Sequence, residues 1–515
     1  MSNQDNNNKR IAKNTMLMYV RMLYSLFLSL FTARVILNAL GVEDYGLYNV
    51  IGSIVSLFVV IRSAMGNSVS RYLTYSIGKN DVNEVQRIFS ASLTIFAGLA
   101  SLIFVLCETV GLWFLYNKLN IPDGRALAAF WVFQLSIFSS IIAVISVPYD
   151  SILIAHERMN VYAFVQIVTA TLNLGIVYFV AYTSFDKLIV YALLQFLVLL
   201  ATRIFYGMYC GKHFPEVKFK FIKDKSLYKE MTSFAGWSLF GNVAYVAQNQ
   251  GINVMLNLFF STVVNTARGI AYQVQGAIKG FIMNFQMAAF PQITKSYAAG
   301  DRDRMFNLIF FVSKFSYFLL LFLGLAIFIE AEEILLLWLK IVPDHTVAFL
   351  RIILLISLIE TLSNPIATAI SATGNIKTYQ IILASIDLTI LPLGYIALLL
   401  GCRVEIVFVI QLAIILIEQC VRVLLARQRL GLSARKYIKD IAVRVLLVTI
   451  LSFVLPAFFY YFMETGIIRL LCVLFSSMIS VLLSSMLLGL NGRERNVVLG
   501  YIKDFGRKFK LVKQV

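Results

Sequence analysis

Apolar stretches of about 20 residues follow one another along the whole chain, divided by short polar turns, and each is long enough to cross a hydrocarbon layer of about 30 Å as a helix. The pattern predicts helices near residues 14–39, 46–69, 88–114, 126–153, 161–183, 188–209, 232–260, 264–293, 307–330, 346–371, 378–400, 406–426, 441–463 and 467–489, fourteen in all. Polar residues inside these spans fall on stripes. In the eighth, Arg268, Tyr272, Gln275, Lys279 and Gln286 follow the 3, 4 and 7 spacing of one helical face. Asn242, Asn249, Asn253 and Asn257 do so in the seventh, and Asn49, Ser53, Ser56, Ser63, Asn67 and Ser70 in the second. Such stripes are expected to face a wet interior, so Asn249, Asn253, Asn257, Gln275 and Gln286 are expected to line a polar cavity.

Composition agrees with the pattern. The chain of 515 residues is 59% hydrophobic and 14% charged, with a mean hydropathy of +0.80. These values lie far from those of soluble domains and point to an all-α, multi-pass integral membrane protein. The net charge of +18 would suggest nucleic acid in a soluble protein. Its distribution argues otherwise. With the N-terminus inside, most of the 45 Lys and Arg fall in inward loops, above all "GKHFPEVKFKFIKDKSLYKE", "ARQRLGLSARKYIKD" and the tail "RERNVVLGYIKDFGRKFKLVKQV", whereas the outward loop "EAEEILLLWLKIVPD" is acidic. The basic charge therefore sets topology, with both termini cytoplasmic, and meets anionic membrane lipids; no nucleic-acid partner is expected. Five scattered cysteines give no disulfide framework, and three loop histidines give no metal site. The polar start "MSNQDNNNKR" and the long first helix do not resemble a cleaved leader.

The chain also repeats. Tyr48-x-x-x-Gly52-x-Ile54 in the second span recurs as Tyr272-x-x-x-Gly276-x-Ile278 in the eighth, and each span ends in a similar turn, "SIGKND" against "AAGDRD". Pro148 and Tyr162 are spaced as Pro365 and Tyr379 are. Two six-helix lobes in parallel orientation are expected: 1–210, a basic cytoplasmic linker 211–230, and 231–430. Helices thirteen and fourteen (431–490) and a basic tail (491–515) are appended.

Charges within the spans are costly and tend to be functional. Counted from Lys13 and Arg71 at the inner boundary, Arg21 and Arg62 lie about 12 and 14 Å deep at helical rise. Lys279 is about 17 Å from Arg268 and about 24 Å from Lys295, near mid-membrane. Arg34 and Arg268 sit nearer the outer surface. Guanidinium and ammonium groups at such depth suit a bulky anion with phosphate oxygens. The acids Glu360, Asp387 and Glu418 all belong to the second half. They are candidates for coupling to H⁺ or Na⁺ or for gating, with Arg422 four residues beyond Glu418 as a local partner. Gly276 and Gly280 form a GxxxG pattern that suggests close helix packing.

The opening "IAKNTMLMYVRMLYSLFLSLFTARVILNALGVEDYGLYNVIGSIVSLF", with its "LG..DYGLYN" turn, resembles the multidrug, oligosaccharidyl-lipid and polysaccharide exporter superfamily. Within it the sequence is most similar to the O-antigen or polysaccharide (Wzx-type) flippases of bacteria. The resemblance implies two six-helix lobes in a V, open alternately to either side. It implies no enzyme, but a flippase that carries an undecaprenyl-diphosphate-linked oligosaccharide, an O-antigen or capsule repeat unit, from the cytoplasmic to the periplasmic face of the inner membrane. It further implies essential cations on the first, second and eighth helices, matched here by Arg21, Arg62 and Lys279, with Arg268 competing for the eighth. No cofactor beyond a coupling ion is implied, and the expected partners are the lipid-linked substrate, membrane lipids and other polysaccharide-assembly proteins around a monomer. A multidrug exporter of the same superfamily is the nearest alternative. A membrane glycan polymerase or ligase is more distant, because the outward loops are short.

Overall fold

The computed structural model describes residues 3–56, 58–117, 121, 124–260, 262–492, 494 and 495. Most of the expected tail 491–515, and the side chains of Arg34, Asn49, Ser53, Ser56 and Ser63, lie outside the described residues. The rest is helical, with no strand among the described residues. The long helices are α1 (Asn3–Ser56), α2 (Phe58–Gly78), α3 (Val82–Asn117), α4 (Ala126–Ala155), α5 (Met159–Tyr182), α6 (Lys187–His213) and α7 (Lys225–Phe259). They continue with α8 (Thr262–Ala298), α9 (Arg302–Ile329), α10 (Thr346–Ala372), α11 (Lys377–Leu399), α12 (Ile406–Leu430), α13 (Ala434–Phe462) and α14 (Ile467–Gly489). Among the described residues every expected segment is helical, and ten of these helices are long and apolar enough to cross a membrane. α1, α2, α7 and α8 are not among the ten; in α7 and α8 the Asn and Gln stripes dilute the apolar character.

The break between the first two expected spans falls inside α1 at Gly41, where φ is 79° and ψ is 171°. A side chain there would be strained, so glycine lets the chain turn without losing the helices on either side. Asp44, in the "DYGLYN" turn, is gripped by the Arg125 guanidinium, which also reaches Asp186 at 2.6 Å. Asp186 in turn accepts from the backbone N–H groups of Leu188 and Ile189, each at 3.1 Å, and so caps α6.

The suspected repeat is visible in the turns. Asp81 caps α3 by accepting from Glu84 N at 3.0 Å, and Asp301 caps α9 by accepting from Arg304 N at 3.0 Å. Each Asp follows a left-handed residue, Asn80 (φ 57°) or Gly300 (φ 77°). Glu157 (φ 59°) and Gly374 (φ 86°) stand at equal distances beyond Pro148 and Pro365, again both left-handed. The GxxxG expectation does not hold at Gly276: among the described residues a side chain there would meet nothing within 4 Å.

The chain divides into two compact units. Unit 1 comprises Met1–Val243 with Thr294–Gly300 and Gly374–Gln380, and unit 2 comprises Ala244–Ile293, Asp301–Thr373 and Ile381–Val515. Unit 1 has a core around Leu73, Phe89, Phe96, Phe133, Ile152 and Leu153. Its basic stretch 211–230 is not a free tether: Glu216 meets His156 Nε2 at 2.6 Å, Lys220 N donates to Ser90 Oγ at 3.1 Å, and Asp224 pairs with Arg87 at 2.6 Å. Glu157, its side chain wholly buried, pairs with Arg10 at 2.6 Å and Lys295 at 2.7 Å, and its carbonyl accepts from Asn14 at 3.3 Å.

In unit 2, Phe349 and Phe408 pack with centroids 4.6 Å apart. α13 and α14 belong to this body and are held to α9 along its length. Tyr317 Oη meets Thr449 Oγ1 at 2.9 Å, buried Lys314 pairs with Glu494 at 2.6 Å, and Arg469 binds Glu330 through two bonds of 2.9 and 2.8 Å. Outward faces of the helices carry residues such as Phe164, Phe179, Leu446 and Ile450, all exposed, as suits contact with lipid.

Candidate functional site

Unit 1 gathers charge from four helices. Arg21 of α1 lies with its guanidinium carbon 5.5 Å from the ring centroid of Tyr162 on α5. Arg62 of α2 faces Asp150 of α4 at 3.5 Å. Arg203 of α6 stacks on Tyr149, 3.7 Å from its centroid. The Arg62 side chain is 39% exposed and that of Asp150 23%, so neither is sealed in the packing. Ion pairs elsewhere in this unit are shorter, at 2.5 to 2.7 Å.

Unit 2 is arranged differently. Lys279 Nζ of α8 donates to Glu360 Oε2 of α10 at 2.5 Å, with Tyr245 and Tyr272 nearby. Arg268 donates to the Asn249 backbone carbonyl at 3.0 Å and to its side-chain oxygen at 3.2 Å, while lying 4.7 Å over the Tyr272 ring. Glu418 Oε2 of α12 pairs with Arg422 at 2.8 Å. Its other oxygen meets no hydrogen-bond partner among the described residues, and the Asp387 carboxyl of α11 acts on Glu418 through space.

The expected residues thus fall into two groups. Arg21 and Arg62 belong to unit 1; Lys279, Arg268, Glu360, Asp387 and Glu418 belong to unit 2, where Glu360 supplies the partner that the sequence did not show for Lys279 and Arg268 binds Asn249 instead. Among the polar stripes, Gln275 is buried and donates to Ser357 at 2.8 Å. Gln286 is buried too, donating to Ser316 at 3.1 Å and accepting from Asn364 at 3.0 Å. Their amides bind neighbouring helices instead of open water. Asn249 and Asn253 are half-buried and Asn257 is exposed. Sequence reasoning missed Asp150 and Arg203 and placed the membrane acids in the second half alone. A carboxylate two residues after Pro148, in an otherwise apolar helix, was the available signal. Among the described residues no group of three His, Cys, Asp or Glu side chains is arranged to hold a metal ion.

Helices too apolar for water, interrupted by paired charges that a lone span could not carry, define a multi-pass membrane protein. The same fold is found in several solved structures. A MATE transporter in its bent conformation superposes with a TM-score of 0.72 at 13% identity, over 84% of this chain and 98% of that one. An outward-facing multidrug resistance MATE family transporter of the MOP superfamily gives 0.70 at 13% identity, over 82% and 96%. A MOP superfamily transporter from Pyrococcus furiosus, whose binding pocket is described as reversed in polarity, gives 0.66 at 15%, over 82% and 96%. Residues 11–297 match the model of the polysaccharide biosynthesis protein family, more than half of the sequence, and the chain belongs to that family. No curated protein matches it.

Proposed function

We propose that this protein is a flippase that moves an undecaprenyl-diphosphate-linked oligosaccharide, such as an O-antigen or capsule repeat unit, outward across a bacterial cytoplasmic membrane by alternating access. The observation that carries this reading is the cationic group of unit 1: Arg21 and Arg62 sit within the helix bundle beside Tyr162 and Asp150, a surplus of positive charge that an anionic ligand would offset. A diphosphate offers oxygens to several guanidiniums at once, through charge-assisted bonds about twice as strong as neutral ones. Membership of the polysaccharide biosynthesis family supports the sugar-lipid class of cargo. Lys279 and Arg268 offer further cations on α8, and the Glu360 and Asp387–Glu418 carboxyls are the candidates for coupling to H⁺ or Na⁺. On this reading the termini are cytoplasmic, no reaction is catalysed, the working unit is a monomer, and the partners are the lipid-linked substrate, membrane lipids and neighbouring polysaccharide-assembly proteins.

The test is deletion of the gene followed by lipid extraction. Undecaprenyl-linked oligosaccharide is expected to accumulate on the cytoplasmic face and surface glycan to disappear, with wild type but not Arg21→Ala restoring both. Full surface glycan with Arg21→Ala, Arg62→Ala and Lys279→Ala proteins made at normal levels would sink the proposal, and export of amphipathic cations from vesicles would favour a multidrug exporter instead.

A further inference from the structure

Asp150 and Arg203 have no place in the reading above, yet both are set beside the two arginines it uses. Asp150 is the neighbour of Tyr149 on α4, the ring on which the Arg203 guanidinium rests at 3.7 Å. Arg62 and Arg203 both act on the Asp150 carboxylate through space, and Tyr162 feels Asp150, Arg21 and Arg62 together. Gly207, one turn beyond Arg203, keeps room for this arrangement: a Cβ there would stand 2.9 Å from Arg203 Nη1. Two guanidiniums, those of Arg62 and Arg203, therefore flank the Asp150 carboxylate, and Arg21 stands at Tyr162 beside them, so the three arginines and one carboxylate carry a net charge of about +2. A diphosphate bonded at both ends carries one ionised oxygen on each phosphorus, about −2 at neutral pH. The two match.

The Arg62–Asp150 contact, at 3.5 Å, is longer than the 2.7 to 2.9 Å of a charge-assisted bond and than the other ion pairs of its unit. A pair that loose is easily exchanged for a phosphate oxygen. We infer that Arg203 is a third arginine ligand of the diphosphate and that Asp150 is the resident counter-ion, holding Arg62 while the site is empty and yielding it when the phosphates arrive. The inference rests on the anion-binding reading of Arg21 and Arg62. Asp150 gives the site a purpose that three bare cations would not serve. A carrier must bind well enough to load and weakly enough to unload, and a competing carboxylate supplies a partner for Arg62 at the moment of release.

The experiment uses the full-length protein in nanodiscs of neutral phosphatidylcholine and, as probe, farnesyl-diphospho-N-acetylglucosamine, a soluble diphosphate diester. Binding of Arg203→Ala is expected to be at least tenfold weaker than wild type. Gly207→Ala, which displaces the guanidinium but keeps its charge, is expected to be weaker by a smaller factor. Asp150→Asn is expected to bind several-fold tighter yet to turn over more slowly in a vesicle flipping assay, and Asp150→Glu to restore wild-type behaviour. Adding Arg62→Ala to Asp150→Asn should abolish the gain. A merely structural role for Asp150 would not raise affinity, so unchanged or weaker binding by Asp150→Asn overturns its part, and unchanged binding by both Arg203→Ala and Gly207→Ala overturns that of Arg203. If Arg203→Ala fails to fold, Gly207→Ala alone decides. Weak binding by Arg21→Ala alongside unaffected Arg203 and Asp150 variants would defeat this inference and leave the flippase reading standing; indifference of Arg21→Ala would defeat the reading itself.

Discussion

The two units handle membrane charge in opposite ways. In unit 1, Arg21, Arg62 and Arg203 outnumber Asp150, and the one ion pair among them is loose, at 3.5 Å. In unit 2, Lys279, Arg268 and Arg422 are balanced by Glu360, Asp387 and Glu418, with ion pairs of 2.5 and 2.8 Å. A surplus of cations held loosely is suited to an incoming anion, because the site gains from ligand what the protein does not supply. A balanced set held tightly is suited to stability and to small shifts of protons or cations within it. The lesson is that charge in a membrane is read by its balance and its bond lengths, not by its presence.

The comparison predicts, first, that neutralising one partner harms unit 2 most. Glu360→Gln leaves the Lys279 ammonium without its carboxylate. Removing one side of a buried pair costs about 3–5 kcal/mol, and the side chains here are 25% and 22% exposed, which places the loss at about 2–3 kcal/mol. Thermal unfolding in detergent should show it, and Lys279→Met combined with Glu360→Met should recover most of the stability but not transport. Equal stability of Glu360→Gln and wild type would mean that the pair is not the fixed element described above.

The second expectation is the mirror image. Arg62→Ala breaks only a loose, half-exposed pair, so its stability should change by no more than about 1 kcal/mol. Its loss should appear in cargo instead: removing one charge-assisted contact is worth about 1.5–3 kcal/mol, roughly ten- to a hundredfold in affinity. A large drop in melting temperature with unaltered transport would erase the contrast between the units.

Much of the fold was legible because hydrocarbon imposes a simple code. Apolar runs bounded by polar turns predicted fourteen segments that are helical among the described residues, and the repeat was audible in "SIGKND" and "AAGDRD", which fold into the same helix-capping turn around Asp81 and Asp301. The site was legible in part. Depth along a helix singled out Arg21, Arg62, Lys279 and Glu360 as unusual, but periodicity says nothing about which residue on another helix lies opposite. The pairing of Lys279 with Glu360 spans 81 positions in sequence, and no local rule reaches so far. Asp150 and Arg203 escaped for a related reason: each lies near enough to a helix end to pass as an interfacial anchor until the tyrosine and arginine beside it are known. Gln275 and Gln286 show the converse limit, since a polar stripe facing another helix looks the same in sequence as one facing water.

The smallest effect separates the units outside the membrane, where each has a carboxylate against a histidine at 2.6 Å: Glu216 with His156 in unit 1, and Glu405 with His345 in unit 2. Burial pushes both carboxyls upward, but the histidine bond and the residue's own backbone N–H outweigh it and hold each below the usual value of 4.5. A depressed carboxylate adds stability that is fully present above its unfolded pKa and is lost as pH falls through the folded one. Both pairs should therefore contribute near neutrality and fade below pH 4.5. The Glu216 side chain is 6% exposed and that of Glu405 24%, so the first is less screened, and each contributes about 1 kcal/mol or less. Melting curves from pH 7 to pH 3.5 should show a flatter acid limb for Glu216→Gln than for wild type, with Glu405→Gln between them. The same acid slope in Glu216→Gln as in wild type would show that the His156 contact adds nothing, and a larger effect at Glu405 would reverse the ranking that burial assigns.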